Sequence, residues 1–169
     1  SFNSVALTEL INYWAEEYYL MSALQKQFDT VVEIRYKNPS GNLVGLSQAV
    51  IDDTDFLNAQ LKITYVSGLV LYINRHQTQQ WVVTQGGETY YLPPNGWLAV
   101  NPSQNFLQYS ALIDSNSQPS ATGTRADYIR SNDYIFVDAR GAAITFSGYG
   151  SQAITTSGIV VHKQNGAWQ

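Results

Sequence analysis

Between Arg125 and Arg140 the chain sets Arg125, Asp127, Arg130, Asp133, Asp138 and Arg140 into one short stretch. Paired carboxylates are what cleavage of a glycosidic bond requires, one as general acid and one as base or nucleophile. The same residues can also form cross-strand ion pairs along a hairpin. Each Asp has an Arg two or three positions away. A neighbouring guanidinium favours the ionised carboxylate and lowers its pKa, whereas a general acid needs the opposite shift. The stretch is therefore read as a braced scaffold, and no catalytic residue is assigned to it.

Other reactive side chains lead no further. His76 follows Asn74-Arg75 in a polar segment and His162 lies near the end of the last strand. Two imidazoles without carboxylates at ligand spacing do not make a metal site, and both are read as exposed or satisfied in the core. Asp52-Asp53-Thr54-Asp55 lacks the spacing and distal Glu of a calcium loop, and is expected to cap the segment that follows it. There is no Gly-x-Ser-x-Gly elbow, dinucleotide turn or phosphate loop. No metal and no cofactor is expected. One arrangement would restore catalysis: a small α+β enzyme in which Asp127, Asp138 and His76 line a cone-shaped pocket.

The aromatic residues suggest binding. With 12 Tyr and 4 Trp against only 13% charged residues, much of the surface must be built from Gln, Asn, Ser, Thr and tyrosine hydroxyls. Typical soluble domains carry about 25% charge. Sugar rings present apolar C–H faces that stack on aromatic rings, and amides satisfy their hydroxyls. Trp81, Tyr91, Trp97 and Trp168, beside turns or near the chain end, are the candidate glycan contacts; packing in a sandwich core is the competing role.

Composition also narrows the partners. A net charge of −4 and a pI near 4.9 leave no basic stripe for phosphates, so no nucleic acid is expected. No apolar run reaches the roughly 18 residues of a membrane span. The absence of Cys removes disulfides and thiolate chemistry. No signal-peptide pattern opens the chain; the polar, uncharged surface is of a kind common in secreted domains. Asn38-Pro39-Ser40 and Asn101-Pro102-Ser103 are not glycosylation acceptors, because of the proline.

One helix and many short strands must position these residues. Leu7, Leu10, Ile11, Trp14, Ala15, Tyr18, Met21 and Phe28 recur at helical spacing over about 5–28, behind Ser4 as N-cap. Glu9, Glu16 and Glu17 sit toward the positive end of the helix. Tyr13, Tyr19, Leu20 and Leu24 make a second apolar side, so a second partner is expected on this helix. Alternation then marks 31–37 and 43–50 as a hairpin, as it does 61–66 and 69–74. Shorter strands follow at 81–84, 90–92 and 97–100, then a central strand at 106–113. After a mobile loop at 114–124, strands resume at 125–130, 134–140, 142–146 and 158–163. The chain thus divides into a helix, 1–29, and a mainly β domain, 30–169. The expected fold is an antiparallel β-sandwich preceded by one amphipathic helix. A helix packed on a curved antiparallel sheet is the α+β alternative.

The run from Tyr65 to Arg75 (YVSGLVLYINR), Trp81-Val82-Val83 and the run from Tyr91 to Ala99 (YLPPNGWLA) resemble a C-terminal β-sandwich of multidomain glycoside hydrolases. The likeness covers residues 61–100, with strand rhythm alone beyond them. It implies a non-catalytic accessory domain that scaffolds, and can contact glycan, beside a catalytic (β/α)8 barrel or partner chain packed on the N-terminal helix. The catalytic carboxylates would then lie outside this chain. A phage or viral structural β-module is the alternative of a different class.

Overall fold

A computed structural model describes residues 4–169, with side chains described from Leu10 onward; the roles expected of the Ser4, Leu7 and Glu9 side chains fall outside it. A long helix, α1 (Ser4–Gln25), leads into β1 (Val31–Lys37), β2 (Leu43–Val44), a short helix α2 (Leu46–Ile51), β3 (Gln60–Tyr65) and β4 (Val70–Asn74). Then come β5 (Trp81–Gln85), β6 (Glu88–Leu92), β7 (Trp97–Asn101), β8 (Phe106–Ile113) and β9 (Thr124–Arg130). The chain closes with β10 (Tyr134–Asp138), β11 (Ile144–Ser147), β12 (Ala153–Thr156) and β13 (Ile159–Lys163).

Nine strands form one antiparallel sheet in the order β13-β10-β9-β8-β7-β4-β3-β1-β2. β5–β6 and β11–β12 are separate two-stranded ribbons, each an excursion between strands of the large sheet. The fold is mainly β and antiparallel with one main helix at its start, as the residue pattern indicates. The second β layer is the pair of ribbons. No described helix is long and apolar enough to cross a membrane.

Side-chain alternation divides the core in two. Tyr72, Leu98, Tyr109, Ala111, Ala126 and Val137 point to one face, where Trp81, Val83 and Leu92 of the first ribbon and Ile144 and Phe146 of the second cover them. Leu71, Ala99, Phe106, Ile129 and Phe136 point to the other face and meet Leu20 and Ala23 of α1. Tyr19 stacks on Phe136 at 5.2 Å and meets Tyr134 edge-on. Tyr134 donates its hydroxyl to the Tyr19 carbonyl at 3.3 Å.

Of the second apolar side read from the sequence, α1 presents Tyr19, Leu20 and Leu24 to the sheet, while Tyr13 is 58% exposed. The longer stripe, Leu10, Ile11, Trp14 and Tyr18, faces outward, with Trp14 61% and Tyr18 68% exposed, while Met21 borders the cleft between α1 and the sheet. Among the described residues nothing covers it.

Three local expectations are corrected. Of 43–50 only Leu43 and Val44 pair with β1. Leu46, Ala49 and Val50 also fit helical spacing, and α2 wins by burying Ala49 completely. Asp52 holds its end, accepting from Gln48 Nε2 and Asn38 Nδ2, each at 2.7 Å. β12 was not anticipated and pairs with β11 along its whole length. The loop 114–124, expected to be mobile, is pinned at its start. The Asp114 carboxylate accepts from the Asn116 and Gln118 amides at 2.8 and 2.9 Å, and Ser117 Oγ donates to the Thr145 carbonyl on β11.

The two-sided core sets a contrast in stability. Phe136→Ala, at a fully buried position under the helix, is expected to cost about 3–5 kcal/mol in urea unfolding. Leu57→Ala, 84% exposed, is expected to stay within about 0.5 kcal/mol. Equal costs would contradict the placement of the core.

Candidate functional site

On the helix side the central strands carry polar residues into an otherwise apolar layer. Along β9, Arg125, Asp127 and Ile129 face α1 while Ala126, Tyr128 and Arg130 face the ribbons. Asp127 is paired directly with Asp138 on β10 and with Ser110 on β8. Like charges directly opposite each other destabilise a strand pair. α1 adds a third carboxyl, Glu16, and oxygen atoms of Glu16, Asp127 and Asp138 lie within 4.8 Å of one another.

Two features allow this crowding. Asp138 accepts from the Arg140 backbone amide at 2.9 Å. Arg140 itself sits in the left-handed region, φ 53°, a conformation costing a non-glycine residue about 1–2 kcal/mol. The turn through Arg140 returns its guanidinium to Asp127, Nε to Oδ2 at 3.7 Å. That distance is an ion pair without a hydrogen bond. Asp127, 1% exposed, has no ordinary donor on either oxygen among the described residues.

Glu16 fills the gap only when protonated. Its hydrogen bond to Asp127, then burial, then the charges of Asp127 and Asp138 push its pKa up to about 8, with Arg140 opposing. At neutral pH its carboxyl therefore holds a proton and donates it to Asp127. Once Glu16 ionises, both groups are acceptors and Asp127 loses this donor. Three carboxylates with no surplus cation could also hold a hard divalent ion, but Arg140 already supplies part of that charge.

Beside the cluster a cleft of about 510 Å³ opens between α1 and the sheet, lined by Tyr13, Glu16, Glu17, Leu20, Met21, Leu24, Leu71, Ile73, Trp97, Gln108 and Arg140. Gln108 donates Nε2 to the Leu20 carbonyl at 3.3 Å. That bond fixes the amide orientation and leaves the buried Oε1 without a partner, as is the Trp97 indole N–H.

On the ribbon side lies a second cleft of about 450 Å³, within the range usual for small-ligand sites. Tyr90, Tyr109, Tyr128 and Phe146 form its aromatic part, and Glu88, Asn116, Gln118 and Arg130 its polar part. Tyr109 stacks on Tyr128 at 5.1 Å, and Tyr128 lies nearly parallel to Phe146 at 6.1 Å. Burial raises the pKa of the Tyr90, Tyr109 and Tyr128 hydroxyls, so all three remain neutral donors at physiological pH.

No family model matches the chain, and no curated protein or solved structure does. Function is therefore argued from the geometry.

The residues singled out from the sequence are dispersed. Trp81 is 6% exposed and packs edge-on against Tyr72 under the first ribbon, so its ring has no free face for a sugar. Trp97 lies across the sheet, in the helix-side cleft. Tyr91 is half-buried on β6. Trp168 is half-buried near the chain end, its ring 4.9 Å from that of His162. Asp127 and Asp138 do converge, but His76 lines a separate polar hollow with Lys37, Asp53 and Asp55; its Nδ1 accepts from the Thr78 and Gln79 amides. The expected pairing of each Asp with an Arg is corrected too. Arg125 turns to Ser110 Oγ at 2.7 Å and to the Pro94 and Asn95 carbonyls, leaving Arg140 as the cation on Asp127.

Two readings match the geometry. His162 is a satisfied core imidazole: Nδ1 accepts from the Tyr149 amide at 3.2 Å, and Nε2, which then carries the hydrogen, donates to the Gly166 carbonyl at 2.9 Å. Asp55 caps the next turn, accepting from the Leu57 amide at 3.0 Å. The acceptance of the Asn58 side-chain amide by Asp55 is the main cause of its lowered pKa.

The raised Glu16 pKa has a definite sign in stability. The unfolded chain releases this proton near 4.5 and the folded chain near 8. Its contribution is complete below about pH 4.5 and is lost as pH rises through 8. Glu16→Gln, which cannot ionise, should match the wild type at pH 5. At pH 9 it should be more stable by on the order of 1–2 kcal/mol, since partial exposure of Glu16 screens the full shift. Urea unfolding at the two pH values measures the difference. Parallel curves would remove the shared proton.

Proposed function

We propose that this chain is a non-catalytic accessory β-domain of a carbohydrate-active protein, packing through the outer face of α1 against a catalytic domain or partner chain and contacting glycan in the ribbon-side cleft. The observation carrying the proposal is the uncovered stripe Leu10, Ile11, Trp14 and Tyr18. Scattered apolar surface residues are ordinary, but a contiguous run of large ones on one helix face is characteristic of an interface. The resemblance of residues 61–100 to the C-terminal sandwich of glycoside hydrolases supplies the partner class.

The glycan half is moved from Trp81, Trp97 and Trp168 to the ribbon-side cleft, which none of the three lines. Tyr90 offers a ring beside polar groups of both kinds, Arg130 as donor and Glu88 as acceptor, while Tyr128 is already stacked with Tyr109 and Phe146. That combination is what a pyranose needs: a C–H face to stack and hydroxyls to pair. Tyr91, next to Tyr90 on β6, points to the opposite face of the ribbon and is not part of this cleft.

Two measurements test the halves separately. Against plant, algal and mucin glycans, a binding sugar is expected to lose about tenfold in affinity with Tyr90→Ala or Arg130→Gln, with the circular dichroism spectrum unchanged. If no glycan registers, the contact half fails and the scaffold half stands. For the scaffold half, hydrogen exchange on the polypeptide as the cell makes it should show residues 10–21 of α1 protected by a neighbouring domain. A stable homotrimer closed by α1 would favour a viral structural module instead.

A further inference from the structure

The helix-side cleft is not used by either half of that proposal, and its chemistry is lopsided. Leu20, Met21, Leu24, Leu71 and Ile73 make apolar walls. At one end stands a buried acceptor without a donor, Gln108 Oε1, beside the Glu16, Asp127 and Asp138 carboxyls, whose oxygens lie within 4.8 Å of one another. Four carboxyl groups (Glu16, Glu17, Asp127, Asp138) are placed at this end of α1. Two guanidiniums are near, and Arg125 is already hydrogen-bonded to Ser110 and two carbonyls. A buried acceptor left unpaired costs about 1–3 kcal/mol, so Gln108, 1% exposed, marks a position where a donor belongs. A metal ion would satisfy oxygens but not the apolar walls, and it would have to sit beside Arg140.

We propose that this cleft binds an aliphatic cation, an ammonium or guanidinium group on an apolar stem, the charged head between Glu16 and Gln108 and the stem along Leu71 and Ile73. Such a head supplies the hydrogen that Gln108 Oε1 lacks, and its charge is held by Asp127 and Asp138 behind. The Trp97 indole N–H, the one unpaired donor at the cleft, is left for a carbonyl or hydroxyl on the stem. The proposal is independent of glycan contact on the opposite face.

The test uses the full chain, isotopically labelled, with n-hexylammonium, 1-hexanol and calcium as probes. Hexylammonium is expected to shift the Trp97 indole and Gln108 side-chain resonances saturably, and 1-hexanol to bind at least about tenfold more weakly. Glu16→Gln and Gln108→Met, both near the native volume, should each weaken hexylammonium by about tenfold while leaving the spectrum of the remote ribbons in place. Two further probes separate the sources of the cation. Tighter binding of Nα-acetyl-lysine methylamide assigns the site to a protein side chain, and tighter binding of agmatine to a free amine. Equal binding of hexanol and hexylammonium would overturn the proposal. So would calcium shifting the same resonances at lower concentration, or no saturable shift with any amine.

Discussion

Strand β8 lies next to the middle strand of the sheet, and both of its faces are closed off from water. Phe106, Gln108 and Ser110 point toward α1, while Leu107, Tyr109 and Ala111 point toward the ribbons. A sheet apolar on both sides has to be covered on both sides, since each uncovered Å² of apolar surface forfeits about 25 cal/mol. The ribbons solve this on one side with Trp81, Leu92, Ile144 and Phe146. The helix solves it incompletely on the other. Its C-terminal half is fastened by Tyr19, Leu20 and Ala23, and by the Asn101–Gln27 bond at 3.2 Å. Toward its N-terminus the described contact with the sheet is polar, the proton that Glu16 shares with Asp127.

That division explains how much could be read from the residues. β8 was legible because eight consecutive residues alternate between two buried faces, and β9 and β10 because Arg and Asp bracket short apolar runs. α2 was not: in Leu43–Val50 the period-two and helical spacings overlap, and the choice rested on burying Ala49. Nor was β12, whose Ala-Ile-Thr-Thr has a weak pattern and gains its place from the ladder to β11, including Thr145 and Thr155 hydroxyls 2.7 Å apart.

The acid cluster was only half legible. Asp127 and Asp138 stood out, yet the nearest arginines in sequence suggested ion pairs. Sequence distance fails here because a strand sends neighbours to opposite faces. Arg130 goes to the ribbon side, Arg125 is taken by the Pro94–Asn95 turn, and Glu16 arrives from a helix more than a hundred residues earlier. No local spacing carries that last contact. What the sequence did show was a helix with too much apolar surface for one partner, and the structure separates its two sides.

The same alternation keeps the two clefts apart. Asp127 and Tyr128 are adjacent in the chain, but one belongs to the helix-side cluster and the other to the ribbon-side aromatic stack. Between them lies a β-strand whose backbone is hydrogen-bonded to β8 on one flank and β10 on the other. A paired central strand has no second register available without turning every side chain to the wrong face. Occupation of one cleft therefore cannot be passed to the other by a sliding of β9. The docking of α1 is the more compliant element: its hold near Glu16 depends on one shared proton, whereas each ribbon is anchored by several buried rings and aliphatic groups. Whatever covers the outer stripe of α1 acts on the helix-side cleft directly, and leaves the aromatic cleft on the far side of the sheet as it stands.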